Sequence, residues 1–128
     1  MAGNRCIKNL LKLICLLQNN SINNFPMNEG CIKPFLGPNI NSICYNTRVI
    51  TLYKKNGEIF SSSYIDSNNN PNSSSFFRVS NVTDDCCTLL ILSLSSENEY
   101  ISTNQYVTVN LNCICAIKCL EDVKINNL

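Results

Sequence analysis

Cysteine is the residue type with the most chemistry to offer in this chain. Nine cysteines occur among 128 residues, whereas histidine and tryptophan are absent. Without histidine the chain can form neither a Ser–His nor a Cys–His catalytic pair, nor a metal site with an imidazole ligand. The chemistry left to the thiols is disulfide formation, thiol–disulfide exchange and metal binding through sulfur.

The spacing of the cysteines argues against a metal site. Ribbon-type zinc sites use Cys-x2-Cys pairs, because this spacing brings two thiolates from one turn to a tetrahedral ion. The chain has no such pair; its closest groups are the adjacent Cys86 and Cys87 and the run Cys113, Cys115 and Cys119. We therefore expect no metal and no other cofactor. A thiol-based metal-binding or redox protein is the alternative from a different class, and bound zinc would identify it.

The N-terminal segment predicts one amphipathic helix over residues 5–18. Its apolar stripe consists of Ile7, Leu10, Ile14 and Leu17, and we expect this stripe to pack on a sheet. Cys15 falls on the polar face, beside Lys8 and Lys12, and Cys6 falls on the margin of the stripe. Lys12 interrupts the leucine-rich run and no small-x-small cleavage site follows, so we interpret the segment as a helix rather than a signal peptide.

The rest of the chain predicts β-strands separated by polar turns. Strands are expected over residues 31–37, 47–55, 76–82, 86–94 and 107–117, with a surface loop over 61–75. Asn56-Gly57 separates two β-branched and aromatic runs, which is the strongest short signal for a hairpin. Because strands do not alternate with helices, a parallel sheet is disfavoured. We predict a mainly β protein: an antiparallel β-sandwich, with a jelly-roll-like arrangement as one option, preceded by one N-terminal amphipathic helix.

Composition and charge set the domain organisation and limit the partners. We expect residues 1–30 to form a helical arm with an Asn-rich linker, and residues 31–128 one cysteine-rich β domain. The net charge of +1 disfavours nucleic-acid binding, and no stretch reaches the roughly 18 apolar residues of a membrane span. Residues 1–64 carry +5 (seven cations, two anions) and residues 65–128 carry −4 (three cations, seven anions). Such a split would favour head-to-tail contacts between copies.

The predicted elements divide the cysteines into two groups. Cys15 lies among lysines, which stabilise the thiolate that attacks a disulfide, whereas Cys113 and Cys115 share the apolar face of the last predicted strand. The candidates for bonds between chains are Cys6, Cys15, Cys31, Cys44, Cys87 and Cys119, with Cys15 and Cys6 preferred. The candidates for buried or intrachain thiols are Cys86, Cys113 and Cys115. The acidic residues show no pairing typical of general acid–base catalysis, so the sequence indicates no enzyme.

Several segments, taken in order, resemble one family. They are CIKPFLG (31–37), NTR (46–48), FFRV (76–79), DDCC (84–87) and VNLNCICAIKCL (109–120). Together they resemble the CotY/CotZ/ExsY family of bacterial spore coat and exosporium proteins, and the Cys-x-Cys-Ala-Ile-x-Cys-Leu run is the most specific part. The chain departs from the family pattern in its short N-terminus without histidine and in Tyr106, which stands where a family cysteine is expected.

The resemblance implies a structural protein that assembles with copies of itself. Family members are cysteine-rich, form ordered and often hexagonal sheets on the spore, and are cross-linked by disulfides. The implied partners are further copies and other spore coat or exosporium proteins, and the implied location is the spore surface. Synthesis in the mother-cell cytoplasm without a signal peptide, followed by exposure to an oxidising exterior, would explain nine thiols in a protein made where thiols stay reduced. A subunit of a spore appendage fibre is the close alternative, since contacts whose symmetry does not close give filaments.

Overall fold

The computed structural model describes residues 5–20 and 45–125. Helix α1 (Arg5–Asn20) is followed by strands β1 (Thr47–Lys54), β2 (Ser62–Ile65), β3 (Pro71–Ser74), β4 (Phe76–Val82), β5 (Cys86–Leu94), β6 (Tyr100–Asn110) and β7 (Ile114–Val123). Five strands form an antiparallel sheet in the order β6-β5-β4-β1-β7, and β2 and β3 form a small second sheet. The predicted mainly β, sandwich-like fold with one N-terminal helix is confirmed.

Some predictions fall outside this part of the chain or differ from it. The strand predicted over 31–37 and the domain boundary at residue 30 lie outside the described residues. The polar segment predicted as a loop over 61–75 contains β2 and β3. Its Ser and Asn residues carry no apolar alternation, so the sequence pattern gave no signal for this hairpin.

Strand β5 forms part of both hydrophobic clusters because it is apolar on both faces. Leu89 and Ile91 lie in the larger cluster, and Leu90 and Leu92 in the smaller one. The larger cluster also contains Leu11, Ile14, Ile50, Leu52, Phe77, Val79, Cys87, Val109, Leu111 and Ile114. It therefore joins the apolar stripe of α1 to one face of the five-stranded sheet, as the stripe predicted.

The link between β6 and β7 forces the large sheet to curl. These strands occupy opposite edges of the sheet, yet only the 3-10 turn Leu111–Cys113 joins them. Four strand spacings in a flat sheet amount to about 19 Å, whereas four residue steps span at most about 14 Å. The edges must therefore approach each other at this turn, which gives the sheet its sandwich-like form. We call Leu111–Cys113 the corner.

Helix α1 inserts a side chain where β1 and β4 separate. The two strands share a single Cα pair, Ile50 with Phe77. Beyond it, Gln18 Nε2 donates to the carbonyl of Val79 at 2.9 Å, and the backbone N–H of Arg48 donates to Gln18 Oε1 at 3.0 Å. The buried side-chain amide of Gln18 thus takes the place of a direct backbone hydrogen bond between β1 and β4, and it fixes α1 against the sheet.

Two further side-chain amides bind backbone in the same way. Asn46 accepts from the N–H of Ile125 and donates to its carbonyl, both at 2.9 Å. Gln105 on β6 accepts from the N–H of Ile65 at 3.0 Å and donates to its carbonyl at 2.7 Å. We refer to the contacts of Gln18, Asn46 and Gln105 as amide bridges. They join segments that the strand ladders leave apart.

The predicted hairpin at Asn56-Gly57 is present, and only one of its two central residues has a positive φ. Gly57 has a φ of +89°, while Asn56 is not in the positive-φ region. The Gly57 N–H donates to the Lys54 carbonyl at 2.9 Å, and the Lys54 N–H to the Glu58 carbonyl at 2.8 Å. This is a three-residue loop closed by a residue in the left-handed region. Asn69 and Asn98 hold the equivalent positions in two other hairpins, with φ of 64° and 63°.

Replacing Gly57 by Val is expected to lower the free energy of unfolding by about 1–2 kcal/mol, because a β-branched residue is strained at positive φ. No heavy atom lies within 4 Å of the position of an added Cβ, so the cost is that of the backbone alone. Gly57→Asn is the matched control and should cost less, since asparagine tolerates this conformation. Urea titration followed by circular dichroism measures both, and equal losses would contradict the assignment of strain.

Candidate thiol site

The corner turns Cys113 and Cys115 to the surface. Both were predicted to be buried, and both are exposed and free. The prediction treated residues 107–117 as one strand. Instead, Asn110 Oδ1 accepts from the N–H of Asn112 at 2.9 Å, and the corner interrupts the alternation. After the corner, Ile114 is the next side chain that packs into the larger hydrophobic cluster. Side chains alternate between the two faces of a strand, so Cys113 and Cys115, on either side of Ile114, face outward.

The corner is tied to the β4–β5 turn. The N–H of Leu111 donates to the carbonyl of Asp85 at 2.8 Å, and Cys86 follows Asp85 directly. Cys86, predicted to be buried or bonded within the chain, is partly exposed and free. Since Cys113 is two residues from Leu111, its Cα lies within about 7 Å of that anchor. The corner thus places Cys113 in the neighbourhood of Cys86.

The start of α1 reaches the same turn. Lys8 Nζ lies 3.7 Å from Asp84 Oδ1, and Cys6, exposed and free, is two residues before Lys8. Three free cysteines, Cys6, Cys86 and Cys113, therefore lie on or next to the segments that meet at the β4–β5 turn, and Cys115 follows Cys113 by two residues on β7. We call this region the thiol end. The sequence did not indicate the two anchors, Lys8–Asp84 and Leu111–Asp85; the Asn110-x-Asn112 spacing of the cap was the only available signal for the corner.

Cys15 and Cys87 lie beneath this surface. Cys15 was predicted to be on the exposed face of the helix; it is only partly exposed, packs against the larger hydrophobic cluster, and donates from Sγ to the Ser80 carbonyl at 3.7 Å. Cys87 is fully buried, although it was grouped with the candidates for bonds between chains. Burial, with smaller contributions from Cys15 and Cys86, raises the pKa of Cys87 to about 12. Its thiol is thus held in the unreactive protonated form.

The raised pKa of Cys87 predicts an alkaline loss of stability. The folded state favours the protonated thiol, so this contribution is fully present below the usual thiol pKa of 9.0 and is lost as pH rises towards 12. One group changes the free energy of unfolding by at most about 1.4 kcal/mol per pH unit. Urea titrations in reductant between pH 8 and 11 should show a steeper decline for the wild type than for Cys87→Ala. Equal slopes would contradict the pKa shift.

Three other cysteines were predicted as candidates for bonds between chains: Cys119, Cys31 and Cys44. Cys119 is disulfide-bonded and was predicted as a candidate for a bond between chains. The six free cysteines are Cys6, Cys15, Cys86, Cys87, Cys113 and Cys115, so none of them is the partner of Cys119. Cys31 and Cys44 lie outside the described residues.

The chemistry open to the thiol end is that of accessible thiols. Within residues 5–20 and 45–125, no three Cys, Asp or Glu side chains are grouped so as to hold a metal ion. In the same part of the chain, no helix is both long and apolar enough to cross a bilayer. Exposed free thiols can oxidise to disulfides with thiols of another molecule.

The fold and the thiols define a small cysteine-rich β protein with reactive sulfur on its surface. The model of the family described as spore coat protein Z matches residues 2–100, which is most of the chain. The protein therefore belongs to the spore coat protein Z family. Its role is that of a structural component of the spore coat, and its place is the spore surface. No protein of curated function and no solved structure matches the chain.

Proposed function

We propose that this protein is a self-assembling subunit of the spore outer layer whose copies are cross-linked by disulfides. Its partners are further copies and other coat or exosporium proteins, and it performs no catalysis. It is made in the mother-cell cytoplasm and is oxidised later, at the spore surface. Membership of the spore coat protein Z family supports the structural role.

The observation that carries the proposal is the state of the described cysteines. Six of them are free and five of these six are at least partly exposed. A monomeric protein rarely keeps several reactive thiols on its surface, because they oxidise readily. The larger hydrophobic cluster joins α1 and the sheet without a bond from any of these six cysteines. The five that are at least partly exposed are therefore available for bonds between chains without a cost to the fold.

Electron microscopy of the purified protein, with and without reductant, tests the proposal. Ordered assemblies are expected under oxidation, together with covalent multimers on a non-reducing gel. Reductant should loosen the assemblies and leave the β-type circular dichroism spectrum intact. A monomer under both conditions, or stoichiometric bound zinc with no assembly, would overturn the proposal. Sheets and fibres both support it, and the images distinguish a coat lattice from an appendage.

A further inference from the structure

We propose that the thiol end is the face through which two copies of this chain are covalently joined head to head. The bond forms between a thiol of one thiol end and a thiol of the other. This inference rests on the proposed function and names the surface and partner that the cross-link uses. The sequence favoured a cross-link at Cys15 on the polar face of α1, whereas this inference places the cross-link at the corner and the adjacent β4–β5 turn.

Of the five free thiols of the described residues that are at least partly exposed, all but Cys15 belong to the thiol end. Strand β5 begins with Cys86 and ends with Leu94, which pairs with Tyr100 at the start of β6. Nine residues of strand span about 30 Å, so Leu94 marks the opposite end. The exposed apolar residues Ile101 and Leu94 lie there, and no cysteine occurs between Tyr45 and Asp85 or between Thr88 and Asn112. A bond between two thiols of the thiol end therefore brings two like ends together.

The thiols of the corner are placed for bonds to another molecule. Cys113 and Cys115 stand on either side of the buried Ile114 and both face outward. Cα atoms two residues apart in extended chain are separated by about 6.5–7 Å, which is the outer limit of disulfide geometry. A bond between these two cysteines is therefore strained, whereas a thiol approaching from outside meets no such restriction.

The charges of the thiol end are self-complementary. Arg5 and Lys8 lie on the first turns of α1, and Asp84 and Asp85 lie on the β4–β5 turn. These two cations and two anions balance, so two such ends do not repel each other. Lys8 already pairs with Asp84 of its own chain at 3.7 Å, so much of the charge of each end is compensated internally. Two such ends can therefore meet in a two-fold contact, in which the same surface of each copy is used.

The chemistry of the bond is ordinary thiol oxidation. Two thiols lose two protons and two electrons, the two Sγ atoms join, and molecular oxygen takes up both protons and both electrons to become hydrogen peroxide. In a two-fold contact the thiol end of each copy is occupied by the thiol end of one other copy. The bond at the thiol end then joins two copies, and a lattice or fibre extends through a second surface.

Isotope mixing identifies the bonds directly. Protein labelled with 15N and unlabelled protein are reduced, mixed, oxidised in air and digested without reductant. Trypsin together with a glutamate-specific protease cuts after Glu97, Glu99 and Lys118. The peptides with Cys86, with Cys113 and Cys115, and with Cys119 are thereby separated. We expect disulfide-linked peptides of mixed isotope composition to contain Cys6, Cys86, Cys113 or Cys115, and a covalent dimer to be the main species on a non-reducing gel.

Two variants sharpen the test. Replacing Cys6, Cys86, Cys113 and Cys115 together by Ser should reduce the covalent dimer at least tenfold, with the circular dichroism spectrum retained. Cys87→Ser is the matched control at a buried thiol and should leave the dimer yield unchanged among the folded molecules. Mixed-isotope bonds that involve only Cys15, Cys31, Cys44 or Cys119 would overturn this inference and leave the proposed function standing. Wild-type protein that forms neither assemblies nor bonds between chains would overturn both.

Discussion

Gln18→Leu is expected to lower the free energy of unfolding by about 2–5 kcal/mol. The substitution removes the amide that bridges Arg48 and Val79, and leaves a backbone N–H and a backbone carbonyl without this partner. Each buried polar group that loses its hydrogen bond costs about 1–3 kcal/mol. Leucine is close to glutamine in size, so the lost packing is small. Urea titration followed by circular dichroism measures the effect.

Gln105→Leu is the matched control for this prediction. Gln105 also bridges backbone groups, those of Ile65, but its contacts are exposed to solvent. Water can replace them there, so the loss should be below about 1 kcal/mol. If the two variants are destabilised equally, the burial of the Gln18 bridge is not what makes it important. If neither is destabilised, α1 is held by its apolar stripe alone.

Asp122→Leu is expected to cost about 3–5 kcal/mol, because it leaves the charge of Arg48 in the interior without its carboxylate. Arg48 Nε lies 2.8 Å from Asp122 Oδ1 and Nη2 lies 3.2 Å from Oδ2, with the two side chains 2% and 5% exposed. The pair joins the neighbouring strands β1 and β7, in which Arg48 and Asp122 lie directly opposite each other.

The double variant Arg48→Met with Asp122→Leu separates the charge from the packing. Replacing both members by apolar residues of similar size removes the uncompensated charge, so most of the loss should be recovered. Thermal unfolding of the two single variants and the double variant gives the coupling energy. Additive losses would show that the two charges do not depend on each other for their stability.

The elements that the sequence predicts well are those whose pattern is local. Strands β4 and β5 occur over the residues expected, since β5 is rich in apolar residues on both faces and β4 is bounded by turns. The hairpin at Gly57 follows from one residue that accepts positive φ. These features need no knowledge of what lies across the fold, so propensity and periodicity are sufficient.

The elements that the sequence does not predict depend on partners distant in the chain. The corner divides an alternating run because Leu111 binds the carbonyl of Asp85, and no feature of residues 107–117 alone demands it. Gln18 carries no signal of its role, since a glutamine at the end of an amphipathic helix is ordinarily exposed. The exposure of Cys113 and Cys115 was therefore predicted incorrectly, although the cysteines themselves were the correct residues to examine.

The corner has a mechanical consequence for a shell that stretches. A pull applied to Cys113 or Cys115 enters the chain between β6 and β7. It loads the ladder of β6 against β5 and that of β7 against β1 at the same moment. Force along strands that are paired over most of their length is shared by many hydrogen bonds acting in parallel, whereas force on a loop breaks contacts one by one. A cross-link at this position would transmit tension between neighbours into the two most extensively paired strand ladders of each subunit.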